Sequence, residues 1–177
     1  RGGPAMNVLI DLRQAVLEAV KAKLPDLKEV GTVGGRFTRK ELSQFSMRAP
    51  AARVAILGVG PGEAYASGGS VHEVELAVFV IAEDRVGLSR DEALLAMVPA
   101  ILDMAKDNSF GLDCAYPALP GRAQNLFTEA SARSTADIWA VSWKQSVLIA
   151  PQEDDQGGVL TALYASQAPL IGADHED

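Results

Sequence analysis

The chain has 177 residues, 48% of them hydrophobic and 22% charged, and a formal net charge of −7. That length suits one domain, able to bury roughly 70% of its unfolded surface without disulfide or metal staples. The acidic balance disfavours binding to phosphate backbones or anionic membranes by bulk charge. A single cysteine excludes an internal disulfide, and no apolar run reaches the ~18 residues of a membrane span.

Met6 followed by Asn7 reads as a natural start, with no secretion signal ahead of it. Residues 1–5 are therefore left out of the fold reasoning as a remnant. The domain is expected over residues 6–150, followed by an acidic C-terminal extension, 151–177. The lone thiol, Cys114, fits a reducing compartment.

Leu9, Leu12, Val16, Val20 and Leu24 recur every three or four residues, which predicts an amphipathic helix over about Asn7 to Lys23. Asn7 can cap its start and Pro25 stops it. A short strand is expected over Leu27 to Val33, ending at Gly34-Gly35. Thr38-Arg39-Lys40-Glu41 has the spacing of a capping box and predicts a short helical turn to Phe45. Arg53 to Val59 reads as a buried strand.

Gly58 to Ser70 holds five glycines and a proline without apolar periodicity, so a long loop is expected there. Val71 to Ile81 alternates, with Val74, Leu76, Val78 and Val80 on one face. The other face passes from Glu73 and Glu75 to Ala77, Phe79 and Ile81, so one end of that strand should be covered on both sides. Ser89-Arg90-Asp91-Glu92 is a second capping box and opens a helix to about Lys106, with Pro99 inside it. Asp107 to Gly121 reads as irregular. A strand pair is expected last, Asn125 to Ser131 and Ile138 to Ile149. In the second, Trp139, Val141, Trp143, Val147 and Ile149 share a face. Strands neighbour strands in this order, so the fold class is α+β: a mainly antiparallel mixed sheet with two long helices packed on one face.

Catalytic machinery is hard to assemble from these residues. His72 and His175 are the two histidines, and no zinc-ligand spacing occurs. A Cys114–His72 nucleophile pair is conceivable, but an idle thiol is the commoner case. Gly58-Val59-Gly60-Pro61-Gly62-Glu63 follows a strand as a phosphate loop would. Pro61 removes an amide donor, however, and the Lys-Ser/Thr pair of such loops is absent. Glu73 and Glu75 share a strand face and could hold a cation, yet a solvated strand end is the plainer reading. The cluster Arg36, Arg39, Lys40, Arg48 and Arg53 reads first as a solvated, partly paired surface. Trp139 and Trp143 are commonly core residues at such spacing, and they would also suit an intersubunit contact.

Local sequence adds a resemblance. Gly34-Gly35-Arg36-Phe37 leads to Arg48-x-Pro50-Ala51-Ala52-Arg53-Val54-Ala55-Ile56-Leu57-Gly58. Later come Glu75-Leu76-Ala77-Val78-Phe79-Val80, then Asn125-Leu126-Phe127 and Trp139-x-Val141-x-Trp143-x-Gln145. Across about Met6 to Ile149 the chain resembles the Mu-like phage and prophage family of tail terminator (tail completion) proteins. The resemblance implies a structural virion protein with no enzymatic activity and no cofactor, whose copies form a ring, commonly six. That ring would cap the tail tube, end its polymerisation and offer a surface to the neck. The implied partners are other copies of the chain, the tail tube protein and the head–tail connector or neck protein, with the sheath a further candidate. Neither nucleic-acid specificity nor membrane contact is implied. The implied location is the virion tail, after assembly in the bacterial cytoplasm. Rings use two different patches of one subunit. Candidate contact residues are Arg36, Arg39, Arg48, Gly60, Gly62, Tyr65, Trp139 and Trp143; charge reversal at Arg39 and Arg48 is expected to disturb the ring. The alternatives are a small adaptor binding one partner, or a nucleotide-binding or hydrolytic domain.

Overall fold

The first helix, α1 (Val8–Lys23), begins where the sequence asks it to: the Asn7 side chain accepts the amide of Ile10 and caps its N-terminus. Its buried face is Leu12, Val16, Leu17 and Val20. The computed structural model describes residues 7–35, 41, 44–45, 48–66, 68–126 and 136–151. Of the turn expected over Thr38 to Phe45 only Glu41, Gln44 and Phe45 are described, each helical, while residues 127–135 of the last hairpin and the extension past Pro151 lie outside the described residues.

Five strands form one sheet: β1 (Glu29–Thr32), β2 (Ala51–Ala64), β3 (Ser70–Glu83), β4 (Arg122–Asn125) and β5 (Ala136–Ile149). Their spatial order is β1-β2-β3-β5-β4. The β1–β2 pair is parallel and the other three pairs are antiparallel, so the fold is α+β on a mixed sheet. The second helix, α2 (Arg90–Ala105), packs with α1 on the same side. Leu12, Val16 and Val20 meet Leu94, Val98 and Ile101 over Val54, Val78, Val80 and Val141 in one apolar cluster. Phe45 covers the opposite face, with Ala51, Ala77, Phe79, Ile81 and Ile138. Both faces of β3 are thus buried from Leu76 to Ala82, as its change of pattern predicts.

The second capping box is formed: Ser89 Oγ accepts the Glu92 amide at 3.2 Å, and a Glu92 carboxylate oxygen accepts the Ser89 amide at 3.1 Å. Removing the hydroxyl by Ser89→Ala should cost about 1 kcal/mol in a urea titration. Hydrogen bonds from the Ser89 backbone and side chain hold the Glu92 carboxyl below its ordinary value. A lowered folded value means that this contribution is complete above the unfolded value of about 4.3. It is then lost as pH falls through the lower folded one. Stability of the wild-type chain should consequently fall more steeply than that of Ser89→Ala below about pH 4.

Two expectations need correction. Gly58 to Ser70 is not a loop, because β2 continues through it to Ala64 and pairs with β3 as far as Ala64↔Ser70. Register irregularities at Ile56/Gly58 and Val59/Gly62 absorb Pro61, which has no amide to give to a ladder. The loop shrinks to 65–69, closed by the Tyr65 amide on the Gly69 carbonyl at 2.8 Å. Burial nevertheless stops at Ile56, so Leu57 and Val59, expected inside, are 41% and 43% exposed. The strand before the last turn begins earlier than expected, at Arg122 rather than Asn125, and beyond Leu126 the range expected for it lies outside the described residues. Its sequence carries no apolar alternation; backbone pairing to β5, the Arg122–Ser142 bond and Ala123 against the core hold it.

Candidate assembly surfaces

The distal half of β2 is an open arm of the sheet on its outer side only, since β3 beside it is paired with β5 as far as Ser70↔Ile149. β1 pairs with β2 only over Ala51–Val54, and the next chain segment adds one bond, Val33 amide to Val54 carbonyl at 3.0 Å. From Leu57 to Ala64 the outer edge of β2 has no strand beside it among the described residues. Leu57 and Val59 lie along this edge and Tyr65, 48% exposed, stands at its end.

The glycines of the arm have a specific cause at Gly62. The His72 ring lies where a side chain at Gly62 would be: an added Cβ would come within 2.5 Å of the ring carbon Cε1. His72 Nδ1 donates to the Gly60 carbonyl at 2.9 Å, and Nε2 pairs with the Ser70 hydroxyl at 2.8 Å. A carbonyl can only accept, so the neutral ring carries its proton on Nδ1. His72 is therefore a fastener across the irregular stretch rather than a free base. Its ring nitrogens are occupied, while Cys114 is half-buried with its carbonyl engaged by Leu148 at 2.8 Å. Gly62→Ala should displace the ring, cost about 1 kcal/mol and move the His72 resonances in an NMR spectrum.

The strand geometry also removes the ground for a phosphate loop, because Gly58 to Glu63 is paired strand and not the entry to a helix. Glu73 holds Lys144 at 2.6 Å on the sheet face away from the helices. That hydrogen bond and the charge of Glu73 raise the Lys144 pKa. Among the described residues no group of three acidic, histidine or cysteine side chains is placed to hold a metal. No helix among them is long and apolar enough to cross a membrane.

At the other end of β2 lies a cleft of about 630 Å³ lined by Arg13, Glu29, Phe45, Arg48 and Arg53 among others. Arg53 is ion-paired to Glu29 and sits 4.9 Å above the centre of the Phe45 ring. Arg48 approaches the other Glu29 oxygen at 3.6 Å, with its side chain 67% exposed. One carboxylate thus gathers two of the basic residues, which the sequence cluster of arginines does not reveal. Arg36 and Arg39 lie outside the described residues.

The tryptophans separate. Trp143 is 3% exposed and stacks on Phe110 with ring centres 6.0 Å apart, so it belongs to the core of this chain. The segment 108–118 covers it. Trp139 is half-buried against the same apolar cluster. That segment also shields the outer edge of β5. The amides of Tyr116 and Leu119 reach the Ser146 and Lys144 carbonyls, each at 2.9 Å, and Leu148 reaches the Cys114 carbonyl at 2.8 Å. Tyr116 and Leu119 turn outward from it, 44% and 52% exposed.

No protein-family description matches this chain, and no curated protein does. Among solved structures it is similar to a chain from the virion of a native gene transfer agent particle, at 14% identity and a TM-score of 0.42. The match covers 81% of this chain and 100% of that one. A score that low fixes neither fold nor function.

Proposed function

We propose that this chain acts by assembly rather than catalysis, as the ring-forming terminator of a phage-type tail tube. The observation that carries the reading is the arm. It is the open margin of the sheet at the distal half of β2, whose outer edge has no strand beside it among the described residues, with Leu57, Val59 and Tyr65 exposed. An open edge of that kind is either guarded or used for contact. Pro61 and the two register irregularities guard it against indiscriminate strand addition, while the exposed apolar side chains supply a surface for one defined partner. The local sequence that resembles tail terminators supports the same reading. In it, copies of the chain meet head to tail, the closed ring sits on the last layer of tube protein, and its free face receives the neck.

The test is addition of the purified chain to a polymerising tail tube protein. Tubes should stop growing at a length set by the moment of addition, with a ring of density at one end in electron micrographs. Light scattering of the chain alone should give a mass that rises with concentration to a fixed multiple of the monomer. Tubes that grow unchecked at saturating chain would refute the terminator role.

A further inference from the structure

We infer that the cleft at the β1 margin takes the acidic run Glu153-Asp154-Asp155 of a second copy of this chain. The inference rests on the ring reading and supplies it with a head-to-tail contact. The cleft follows the end strand of the sheet: Glu29 and Thr32 of β1 line it, then Val33 and Gly34, with Arg13 of α1 and Arg48 beside them. β1 has β2 on one side and no strand on the other among the described residues. Its outer edge therefore has backbone donors and acceptors to offer an extended peptide.

The guanidinium of Arg53 reaches this edge because of Gly31. The two residues are register partners, and Arg53 crosses Gly31 so closely that an added Cβ would stand 3.4 Å from its Nη1. The side chain ends on the Glu29 carboxylate and above the Phe45 ring. Three arginines thus face the cleft, at 13, 48 and 53, against the two carboxylates of Glu29 and Glu41. Arg53 is the close partner of Glu29, whereas Arg48 stands 3.6 Å from it, beyond hydrogen-bond length. Arg13 has no ion pair among the described residues. Arg13 and Arg48 therefore keep donors for carboxylates that arrive from outside, and the guanidinium fork suits that group.

The chain carries such carboxylates in one dense place. Glu153-Asp154-Asp155 is its one run of three consecutive acidic residues, and no lysine or arginine follows Lys144. The run lies outside the described residues, but its point of departure is fixed: Pro151 rests against Gly68, in the loop 65–69 at the tip of the arm. The cleft is at the other end of β2. Arg48 precedes Ala51, which is level with Ile81 and so with Ile138, whereas Ile149 is level with Ser70. From Ile138 to Ile149 is roughly 36 Å, at about 3.3 Å per residue. The chain from Pro151 to Asp155 reaches at most ~14 Å. The run cannot enter the cleft of its own chain. Acid leaves one end of the subunit and the arginines open at the other, the disposition that a heterologous contact requires.

The test is the binding of a fluorophore-labelled peptide of residues 151–158 to the full chain in which Glu153→Gln, Asp154→Asn and Asp155→Asn have removed the competing run. Fluorescence anisotropy should show saturable binding, about tenfold weaker when the chain also carries Arg48→Glu. Raising the salt from about 20 mM to about 200 mM should weaken it as well. Arg13→Glu is the second variant, and circular dichroism reports whether each chain folds. No saturation, or equal binding of a peptide with the acids replaced by Gln and Asn, would overturn the inference. Undiminished binding by both arginine variants would overturn it too. Light scattering then separates the contact from the ring. Arg48→Glu alone and the triply neutral chain each lack one half of the contact, so each should need about tenfold more protein than wild type to assemble. Their equimolar mixture keeps one intact contact per pair and should stop at a mass of two chains. A triply neutral chain that assembles like wild type would overturn the contact and leave the ring reading standing. A wild-type chain that stays monomeric throughout, and leaves tube growth unchecked, would remove both.

Discussion

Trp143→Ala should lower the free energy of unfolding by about 3–5 kcal/mol, measured by urea titration. The indole is 3% exposed, lies in the cluster shared by both helices, and stacks on Phe110. Its removal therefore empties a volume that the sheet and α2 cannot close. The same variant separates two readings of the residue. A tryptophan at a subunit contact would leave monomer stability nearly unchanged and weaken assembly. One in the core does the reverse at concentrations where the chain is monomeric.

Gln145→Leu should also be costly, about 1–3 kcal/mol, although leucine is close in size and better suited to an apolar site. Gln145 is fully buried. Its amide nitrogen donates to the Asn108 carbonyl at 3.0 Å and to the Tyr116 carbonyl at 2.8 Å, and its oxygen faces the Trp143 ring nitrogen at 3.4 Å. Leucine would leave the Tyr116 carbonyl without that donor, while the Asn108 carbonyl keeps the Ala118 amide at 3.1 Å. An unsatisfied buried polar group costs about 1–3 kcal/mol, more than the apolar gain returns. Because the amide ties the segment 108–118 to β5, the substitution should also loosen the surface that carries Tyr116. A cost below about 1 kcal/mol would mean that the segment is held by its backbone bonds alone.

Much of the frame was legible. α1 and α2 declare themselves by apolar spacing and by Asn7 and the Ser89–Glu92 box, which act locally and leave a local signature. β3 and β5 declare themselves by alternation because the same faces meet the core along most of their length. The distal half of β2 was hidden because its pairing depends on a partner strand and on the His72 ring, while its own residues, rich in glycine, are those of a turn. The early start of β4 at Arg122 was hidden because its residues show no apolar alternation. Gln145 did leave a trace: it stands at a core position between Trp143 and Val147, where only a fully bonded amide is tolerable. The candidate surfaces were the least legible part. Exposure of Leu57, Val59, Tyr116 and Leu119 follows from where the covering elements end, which no short window of sequence records.

One consequence of the half-covered strand concerns time rather than space. β3 is bonded on both sides, to β2 and to β5, whereas β2 is bonded on both sides only near Ala51–Val54. A single strand should therefore show two stabilities in native-state hydrogen exchange. Amides of Ala51 to Ile56 would open only with the whole molecule, and those of Gly58 to Ala64 by local fraying orders of magnitude faster. The slow half anchors the arm while the fast half samples orientations on its own clock. A partner that paired with this open edge would bring the two rates together, so exchange at Val59 would record its docking.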